Sequence, residues 1–256
     1  KRSKELLDQT NNTSAVLKTL ISKGLLEEQF LREDRLLYDF KKQKKRSVLS
    51  DGQNKALNEI NNAFKDKAVV LFQGVTGSGK TEVYIELISQ AVGIGKQVLY
   101  LLPEISLTPQ IVKRLQMFFG KEVTVYHSKF SVHERTEVWN NVIEKSPKAK
   151  IIVGTRSALF LPFQNLGLLI VDEEHELSYK QFDPSPRYHA RDSAIVLARI
   201  HKAKVLLGSA TPSLESSFNQ RSGKYGWVQL QERYGNLELP EIITIDLKSA
   251  HKKKQM

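Results

Sequence analysis

The stretch Leu71-Phe72-Gln73-Gly74-Val75-Thr76-Gly77-Ser78-Gly79-Lys80-Thr81 decides the fold of this chain. An apolar run over residues 68–72 leads into Gly-x-x-x-x-Gly-Lys-Thr, and a segment with helical character follows at residues 82–90. This order of strand, glycine turn and helix is the context that a phosphate-binding loop requires. The glycines let backbone N–H groups converge on an anion, and the dipole of the following helix adds positive potential there. A plain glycine turn is the alternative, but the complete motif favours nucleotide binding.

The loop is predicted to bind ATP with two side chains and its backbone. The Lys80 ammonium is predicted to reach the β- and γ-phosphates, and the Thr81 hydroxyl is predicted to ligate Mg²⁺. The remaining contacts would come from backbone N–H groups. The predicted ATP-binding residues of the loop are Gly74, Val75, Thr76, Gly77, Ser78, Gly79, Lys80 and Thr81.

The composition is that of a soluble globular protein. The 256 residues are enough for one large domain, or for a medium domain with a small appendage. Hydrophobic residues make up 40% and charged residues 26% of the chain, and the absence of cysteine excludes disulfides, thiol catalysis and zinc–thiolate sites. No apolar run is long enough to span a membrane, and Lys1–Asp8 is too charged for a signal peptide. We therefore expect a cytoplasmic protein with no membrane partner.

The chain carries a strong excess of positive charge. Its formal net charge is +11 and its isoelectric point is about 9.6. A surplus of this size is typical of proteins that bind a polyanion such as nucleic acid. Proteins without such a partner carry similar charge as well, so composition alone leaves nucleic-acid binding open.

Two units and two polar segments are predicted along the chain. Residues 1–40 contain helical stretches, the second ended by Gly24, and then two β-like runs; this is the tail of a winged-helix module or a small structural α+β unit. Residues 41–48 form a basic linker, which is either a solvated connector or a phosphate-contact patch. The second unit extends over residues 49–247, and residues 248–256 are a polar tail.

In the second unit, strand-like apolar runs alternate with amphipathic helical segments. This alternation predicts an α/β fold with a parallel sheet covered by helices on both faces, and it places a nucleotide at the carboxyl ends of the strands. A first helix is expected to be capped by Ser50 or Asp51. Strands are predicted at residues 68–72, 97–102, 123–126, 150–153, 168–171 and 204–207, with helices at residues 82–92, 108–118, 131–144 and 193–201 between most of them.

An acidic motif follows another predicted strand. The apolar residues 168–171 lead into Asp172-Glu173-Glu174-His175, which puts carboxylates at the sheet edge where the phosphate loop also lies. Asp172 is predicted to hold the Mg²⁺ hydration shell together with Thr81, and Glu173 to orient and deprotonate the attacking water. The predicted catalytic residues are therefore Lys80, Asp172 and Glu173.

A third segment, Gly208-Ser209-Ala210-Thr211-Pro212-Ser213, follows the last predicted strand. Its small hydroxyl residues could contact both the acidic motif and bound DNA. Taken by itself, the segment is more typical of a turn and helix N-cap than of a functional contact.

Together these motifs resemble the first RecA-like lobe of superfamily 2 helicases, and more narrowly the PriA family of primosomal replication-restart helicases. The resemblance covers residues 49–247, and residues 1–40 are similar to the end of that family's winged helix. The segments that carry it are Gly74–Tyr84, Leu102–Gln110, Asp172–His175, Ser178–Gln181, Arg187–Asp192 and Gly208–Glu215.

The resemblance implies roles for further residues. Gln53 lies where such helicases read adenine, although a glutamine on a solvated helix face is the alternative. An aromatic-rich loop is implied to bind single-stranded DNA and to couple it to ATP turnover, although a packed loop would have a similar composition. The implied coupling residues are Glu174, His175, Ser209, Ala210 and Thr211. The implied DNA-binding residues are Pro103, Glu104, Thr108, Thr155, Arg156, Ser157, Tyr179, Lys180, Phe182, Arg187 and Tyr188.

The resemblance also implies an activity, an ATP-dependent 3′-to-5′ DNA helicase for replication fork restart and primosome assembly. ATP and Mg²⁺ are the implied cofactors, with zinc expected only in a downstream region. The implied partners are single-stranded and forked DNA, a single-stranded-DNA-binding protein and primosome loading proteins. Such helicases need a second lobe that supplies an arginine finger, so this chain alone is expected to be nearly inactive.

Three alternatives stay open at the level of sequence. The first is another superfamily 2 DNA translocase of repair or restriction. The second is a DNA-binding or docking module with a vestigial ATP site, although both carboxylates and the lysine are present. The third is an ATP-using enzyme with a small-molecule substrate, which DNA-dependent turnover would exclude.

Overall fold

The computed structural model describes Leu7, Thr10 and residues 13–26, 48–104 and 109–231. The chain divides into two compact units, Lys1–Leu37 and Tyr38–Met256. In the first unit, helix α1 (Ser14–Ser22) is followed by Gly24 in a left-handed conformation, with φ of 68°. The predicted hairpin, most of the linker and the polar tail lie outside the described residues, so the winged-helix interpretation and the domain boundaries stay predictions.

In the second unit the described residues include a parallel sheet of seven strands. Their order across the sheet is β3-β4-β2-β5-β6-β1-β7, and every pairing between neighbours is parallel. The α/β fold class with a parallel sheet is therefore confirmed. The strands are β1 (Val69–Gly74), β2 (Gln97–Leu101), β3 (Val123–Tyr126), β4 (Ile151–Gly154), β5 (Leu166–Val171), β6 (Lys204–Ser209) and β7 (Gly226–Leu230).

Helices connect most of these strands. They are α2 (Asp51–Asp66), α3 (Lys80–Gly93), α4 (Pro109–Phe119), α5 (Val132–Ile143), α6 (Ala190–His201) and α7 (Leu214–Arg221). Short 3₁₀ turns lie at Gly120–Glu122, Pro147–Ala149, Arg156–Phe160 and Leu177–Tyr179. The described helices include none that is long and apolar enough to cross a lipid bilayer.

Both faces of the sheet are buried. On one face Phe72, Tyr100 and Ile170 pack in a core with Ile60 of α2 and Ile88 of α3. Because successive strand residues point to opposite faces, their neighbours lie on the other face, and they are buried as well. These are Leu71, Leu99, Leu101, Leu169, Val171, Val205 and Leu207. The unbroken apolar strands of the sequence follow from this two-sided burial.

The strand order places the three sequence motifs side by side. Strand β6 lies between β5 and β1, so the carboxyl ends of all three strands meet at one edge of the sheet. The phosphate loop follows β1, the acidic motif follows β5, and the segment 209–213 begins at the end of β6. This edge is where open parallel sheets bind their ligands.

Candidate nucleotide site and surrounding loops

The phosphate loop connects β1 to α3 through two glycines in left-handed backbone conformations. Gly77 has φ of 79° and Gly79 has φ of 82°, values that glycine adopts without steric cost. Gly79 is also the N-cap of α3. A Cβ atom on Gly79 would overlap the side-chain amide nitrogen of Gln53. The glycine is therefore required both by the turn and by the side chain packed against it.

A cavity of about 540 Å³ opens beside this loop, a volume in the usual range for small-molecule sites. On its wall the Lys80 ammonium donates a 2.8 Å hydrogen bond to the Gly74 carbonyl. The Ser78 hydroxyl oxygen is buried and has no hydrogen-bond partner among the described residues. A cation beside an unpaired buried hydroxyl suits an anionic ligand. The cavity is lined by Val48, Gln53, Val75, Thr76, Gly77, Ser78, Gly79, Lys80, Thr81, Glu82, Arg114, Asp172 and Glu173.

Gln53 lines the cavity and does not lie on a solvated face of helix α2. Only 1% of its surface is exposed. Its Oε1 accepts a 3.0 Å bond from the backbone N–H of Ser50, which completes a capping box at the start of α2. Its Nε2 donates a 3.2 Å bond to the Ser78 carbonyl. The solvated alternative is therefore wrong, and the amide ties the start of α2 to the phosphate loop. The proposed contact with adenine is not tested by this geometry.

The Asp172 carboxylate is held by two buried tyrosines. The Tyr84 hydroxyl donates to Oδ1 at 2.9 Å, and the Tyr100 hydroxyl donates to Oδ2 at 3.1 Å. A third tyrosine, Tyr179, donates to the backbone carbonyl of Asp172 at 2.6 Å and to that of Leu101 at 3.1 Å. Tyr84 and Tyr100 therefore fix the orientation of the carboxylate, and Tyr179 anchors the backbone of the same residue at the end of β5.

Opposing effects act on the pKa of the Asp172 carboxyl group. Burial and the nearby Glu173 charge raise the pKa of Asp172, whereas the hydrogen bonds from Tyr84 and Tyr100 and the Lys80 charge lower it. Burial, together with the Asp172 charge, raises the pKa of Tyr84 and Tyr100 well above their usual range. Both phenols therefore stay protonated and act as donors to the carboxylate.

The next residue, Glu173, adopts an unusual backbone conformation. Its φ is 46°, in the left-handed region that non-glycine residues rarely adopt. Its side chain lines the cavity and is about one-third exposed. Strain of this kind is characteristic of functional sites.

His175 connects the acidic motif to the segment after β6. Its Nδ1 lies 2.8 Å from the Ser209 hydroxyl and 3.7 Å from a Glu173 carboxylate oxygen. Its Nε2 lies 3.3 Å from the Thr211 hydroxyl. The structure thus brings together three of the predicted coupling residues, and neighbouring Ala210 completes the segment between two of them.

Glu174, another predicted coupling residue, is fully buried and faces away from the cavity. Its carboxylate pairs with Arg191 at 3.1 Å. It also accepts the Ser213 N–H at 2.8 Å, the Ser213 hydroxyl at 3.0 Å and the Ser216 hydroxyl at 2.8 Å. A buried charge is tolerated when it is paired and hydrogen-bonded in this way.

The predicted DNA-contact loops meet around Arg156. Its guanidinium donates to the Lys180 carbonyl at 2.9 Å and lies 3.6 Å from the Glu104 carboxylate. Pro103 and Thr155 are buried beneath this contact, so their side chains are not available to DNA here. Of the remaining predicted contacts, Ser157 is half-buried and Thr108 lies outside the described residues.

Residues 180–189, here called the aromatic hairpin, form a closed loop. Lys180 and His189 form an antiparallel bridge, and the Gln181 N–H donates to the Tyr188 carbonyl at 2.9 Å. Phe182 is 65% exposed and Arg187 is exposed as well. The predicted DNA-binding residues Lys180, Phe182, Arg187 and Tyr188 therefore lie on one short loop.

Tyr179 is the exception among the predicted stacking residues. Its side chain is fully buried, and its hydroxyl is bonded to two backbone carbonyls beneath the acidic motif. The prediction that it contacts DNA is wrong for this structure, because a base cannot reach the ring. The residue instead joins the start of the aromatic hairpin to the end of β5.

The sequence model of DEAD/DEAH box helicases matches residues 50–218, which include every motif described above. The chain belongs to the DEAD/DEAH box helicase family. Among curated proteins it is 43% identical to the replication restart protein PriA of Bacillus subtilis over 248 residues, covering 95% of this chain and 30% of that protein. It is also 43% identical to PriA of Haemophilus influenzae over 254 residues, covering 95% of this chain and 34% of that protein. The chain thus spans about a third of the length of these relatives.

Solved structures resemble this helicase lobe in fold. RecG bound to a three-way DNA junction superimposes with a TM-score of 0.54 and 21% identity, covering 82% of this chain and 27% of that one. The E. coli DExH-box NTPase HrpB gives a TM-score of 0.53 and 18% identity, covering 73% of this chain and 22% of that one. The expected RecA-like helicase fold of residues 49–247 is confirmed for the part that the structure describes.

Several residues that build the site of this helicase lobe were not predicted from its sequence. Tyr84 and Tyr100 look like ordinary core aromatics of a helix and a strand, and only the fold turns their hydroxyls toward Asp172. Arg191 is flanked by Ala190 and Asp192 at the start of a helix, and this pattern does not indicate a buried ion pair with Glu174. Ser213 belongs to the segment after β6 whose hydroxyls were expected to contact the acidic motif, and it bonds to Glu174. Ser216 gave no signal.

Proposed function

We propose that this chain is the ATP-binding first motor lobe of a 3′-to-5′ DNA helicase that acts in replication fork restart and primosome assembly. The observation that supports this proposal best is the meeting of Lys80, Asp172 and Glu173 around one cavity. His175 links that cavity to Ser209 and Thr211. The likeness to PriA over 95% of the chain supports the same conclusion.

Helicases of this family use a nucleotide with a divalent metal, and we propose ATP with Mg²⁺. Thr81 and Asp172 would hold the ion, which would neutralise charge on the transferred phosphoryl group. The described residues contain no cluster of three or more His, Cys, Asp or Glu side chains suited to a metal. That fits Mg²⁺, whose coordination is normally completed by water and substrate phosphates.

The proposed steps at the site divide between three side chains. Lys80 would pair with the phosphates, because its ammonium lies beside the loop that would cradle them. Glu173 would orient a water and accept its proton, and its partly exposed position in the wall of the cavity suits that role. A second lobe would supply the arginine finger that completes the site.

DNA would bind across the aromatic hairpin and the Arg156 contact. Exposed Phe182 and Arg187 offer the stacking and charge that single-stranded DNA requires. We propose single-stranded and forked DNA as the substrates. A single-stranded-DNA-binding protein and primosome loading proteins are the further partners that the likeness to PriA suggests.

The test is ATP turnover by the full-length protein with no DNA, single-stranded DNA, duplex and forked DNA. We expect DNA to stimulate ATP turnover, and we expect forked DNA to be one of the DNAs that stimulate it. Lys80→Ala and Glu173→Gln should each abolish the stimulated turnover while DNA binding survives. Turnover at the wild-type rate in either variant would overturn the catalytic assignment, and turnover indifferent to DNA would overturn the proposed function.

A further inference from the structure

The aromatic hairpin leads directly into a buried ion pair. Its last residue, His189, is the N-cap of helix α6, and Arg191 lies in the first turn of that helix. Arg191 is 7% exposed, although arginine is normally among the most exposed residues. Its Nη1 donates to Glu174 at 3.1 Å and to the Ser213 hydroxyl at 2.7 Å, and its Nε donates to Asp192 at 2.9 Å. Only Ala190 separates the end of the hairpin from Arg191 along the chain.

The other side of the ion pair is connected to the remaining motifs. The Glu174 backbone N–H donates to the Gly208 carbonyl at 3.0 Å, at the end of β6. The Glu174 carboxylate accepts from Ser213, the N-cap of α7, and from Ser216 within it. One carboxylate thus joins α6, α7 and the acidic motif. The bonds of Glu174 to Arg191 and to Ser216 are buried, so solvent weakens them little, whereas the bonds of Ser213 to Glu174 are part-buried.

Glu173 lies between two anchored neighbours. On one side the Asp172 carboxylate is fixed by the hydroxyls of Tyr84 and Tyr100. On the other side Glu174 is fixed by the buried ion pair with Arg191. Glu173 itself has the strained φ of 46°. A strained residue keeps its conformation only while its surroundings enforce it, so movement of either anchor changes where the Glu173 carboxylate points.

We infer that Arg191 is a positioning residue, which transmits movement of the aromatic hairpin on DNA through Glu174 to the Glu173 carboxylate. This inference rests on the proposed function, because it needs DNA on the hairpin and a water-activating role for Glu173. Arg191 lies outside the nucleotide cavity and touches neither the phosphate loop nor the predicted ATP contacts. Its replacement should therefore lower turnover stimulated by DNA more than turnover without DNA.

The experiment compares DNA-stimulated with DNA-independent ATP turnover in the full-length protein. Arg191→Lys keeps the charge but loses the planar fork that reaches Glu174, Ser213 and Asp192 together. The stimulation factor is the rate of ATP turnover with DNA divided by the rate without DNA. We expect this factor to fall about tenfold, a usual size for coupling between two sites. Turnover without DNA should fall less than the stimulated rate, and the Kd for single-stranded DNA should stay at the wild-type value. Arg199→Lys is the matched control, because Arg199 is exposed on the same helix.

A second variant separates positioning from stability. Arg191→Met alone leaves the buried Glu174 carboxylate unpaired and is expected to destabilise the lobe. The double variant Arg191→Met/Glu174→Gln removes both charges and should recover the thermal midpoint toward the wild-type value. The stimulation factor should stay low in this variant, because the charged link between the hairpin and the acidic motif is gone.

The outcomes distinguish this inference from the proposed function. If the wild-type protein is stimulated by DNA and Arg191→Lys is stimulated equally, the role of Arg191 is refuted while the helicase proposal stands. If stimulation by DNA and thermal stability both recover in the double variant, the ion pair only stabilises the fold, and the positioning role of Arg191 is refuted. If DNA does not stimulate the wild-type protein, both proposals fall.

Discussion

The hydroxyl of Tyr84 lies 2.9 Å from Oδ1 of Asp172, so helix α3, which begins in the phosphate loop, holds the acidic group at the end of β5. The Tyr84 ring is fully buried and packs edge-on against Phe72 and Tyr100, with ring centroids 6.1 and 5.7 Å away. Its hydroxyl also occupies the space beside the Cα of Gly208. One side chain therefore touches residues from all three motifs.

Tyr84→Phe should raise the Mg²⁺ concentration that ATP turnover requires. The lost hydrogen bond to a charged group is worth about 1.5–3 kcal/mol, so the Mg²⁺ concentration for half-maximal ATP turnover should rise about tenfold or more. That turnover is measured in the full-length protein with single-stranded DNA. Tyr225→Phe is the control, because Tyr225 precedes β7 and is not among the residues that line the nucleotide cavity. An unchanged Mg²⁺ requirement would argue against a metal-binding role for Asp172.

Tyr84→Phe should also shift the pH dependence of ATP turnover. The Tyr84 hydrogen bond lowers the pKa of Asp172 against the effect of burial, so its loss raises that pKa further. Because the protonated carboxyl binds Mg²⁺ poorly, the acidic limb of the pH–activity profile should move to higher pH. Profiles recorded at saturating ATP for wild type and Tyr84→Phe would check this direction, and a shift to lower pH would contradict it.

Gly208→Ala should destabilise the lobe through a clash with the Tyr84 side chain and a tight 3.3 Å contact with Oδ1 of Asp172. A Cβ on Gly208 would overlap the Tyr84 hydroxyl and lie 3.0 Å from its Cζ. Overpacking of this kind costs about 1–3 kcal/mol. In the double variant with Tyr84→Phe the hydroxyl is absent, so the cost should be smaller than the sum of the single costs, as urea unfolding would show. Gly93→Ala, where a Cβ meets nothing within 4 Å, is the control; additive costs would contradict the packing described.

Gln53→Ala should loosen the phosphate loop without changing the choice of base. Gln53 donates to the Ser78 carbonyl and closes the capping box of α2, so its loss should weaken ATP and GTP binding by a similar factor. Equilibrium binding of both nucleotides measures this directly. A loss of affinity for ATP but not for GTP would instead support recognition of adenine by Gln53. Asn58→Ala, exposed on the same helix, should leave both affinities unchanged.

Phe182 of the aromatic hairpin and Tyr179, which precedes the hairpin, should behave differently. Phe182→Ala removes an exposed ring and should lower the affinity for single-stranded DNA about tenfold, since a stacked base contributes about 1–3 kcal/mol. Tyr179→Phe removes a buried hydroxyl and should leave that affinity unchanged while lowering thermal stability. Fluorescence anisotropy with a labelled oligonucleotide compares the two, and equal losses of affinity would contradict the assignment.

Most of the sheet could be predicted because its strands are buried on both faces. Strand β3 was predicted at Val123–Tyr126 as observed, and the other predicted strands agree to within one or two residues at each end. Strand β7 was missed because it is an edge strand in which Trp227 and Gln229 are exposed, so its sequence lacks the continuous apolar run. Helix α7 was missed because it is short and mostly polar.

The site was only partly predictable, for a physical reason. Motif residues such as Lys80 and Asp172 carry their chemistry in a fixed local spacing, which a single sequence displays. The contacts of Arg191 with Glu174 and of Tyr84 with Asp172 join residues 17 and 88 positions apart. Such contacts depend on strand order and on side-chain direction, and neither is encoded in local spacing.

The left-handed conformation of Glu173 has a consequence for redesign of this lobe. Glycine would relieve the backbone strain at that position, so a search that scores stability alone would favour replacing the glutamate. The substitution that improves the fold would then delete the group proposed to activate water. Position 173 is therefore one where selection for thermal tolerance and selection for turnover should favour different residues.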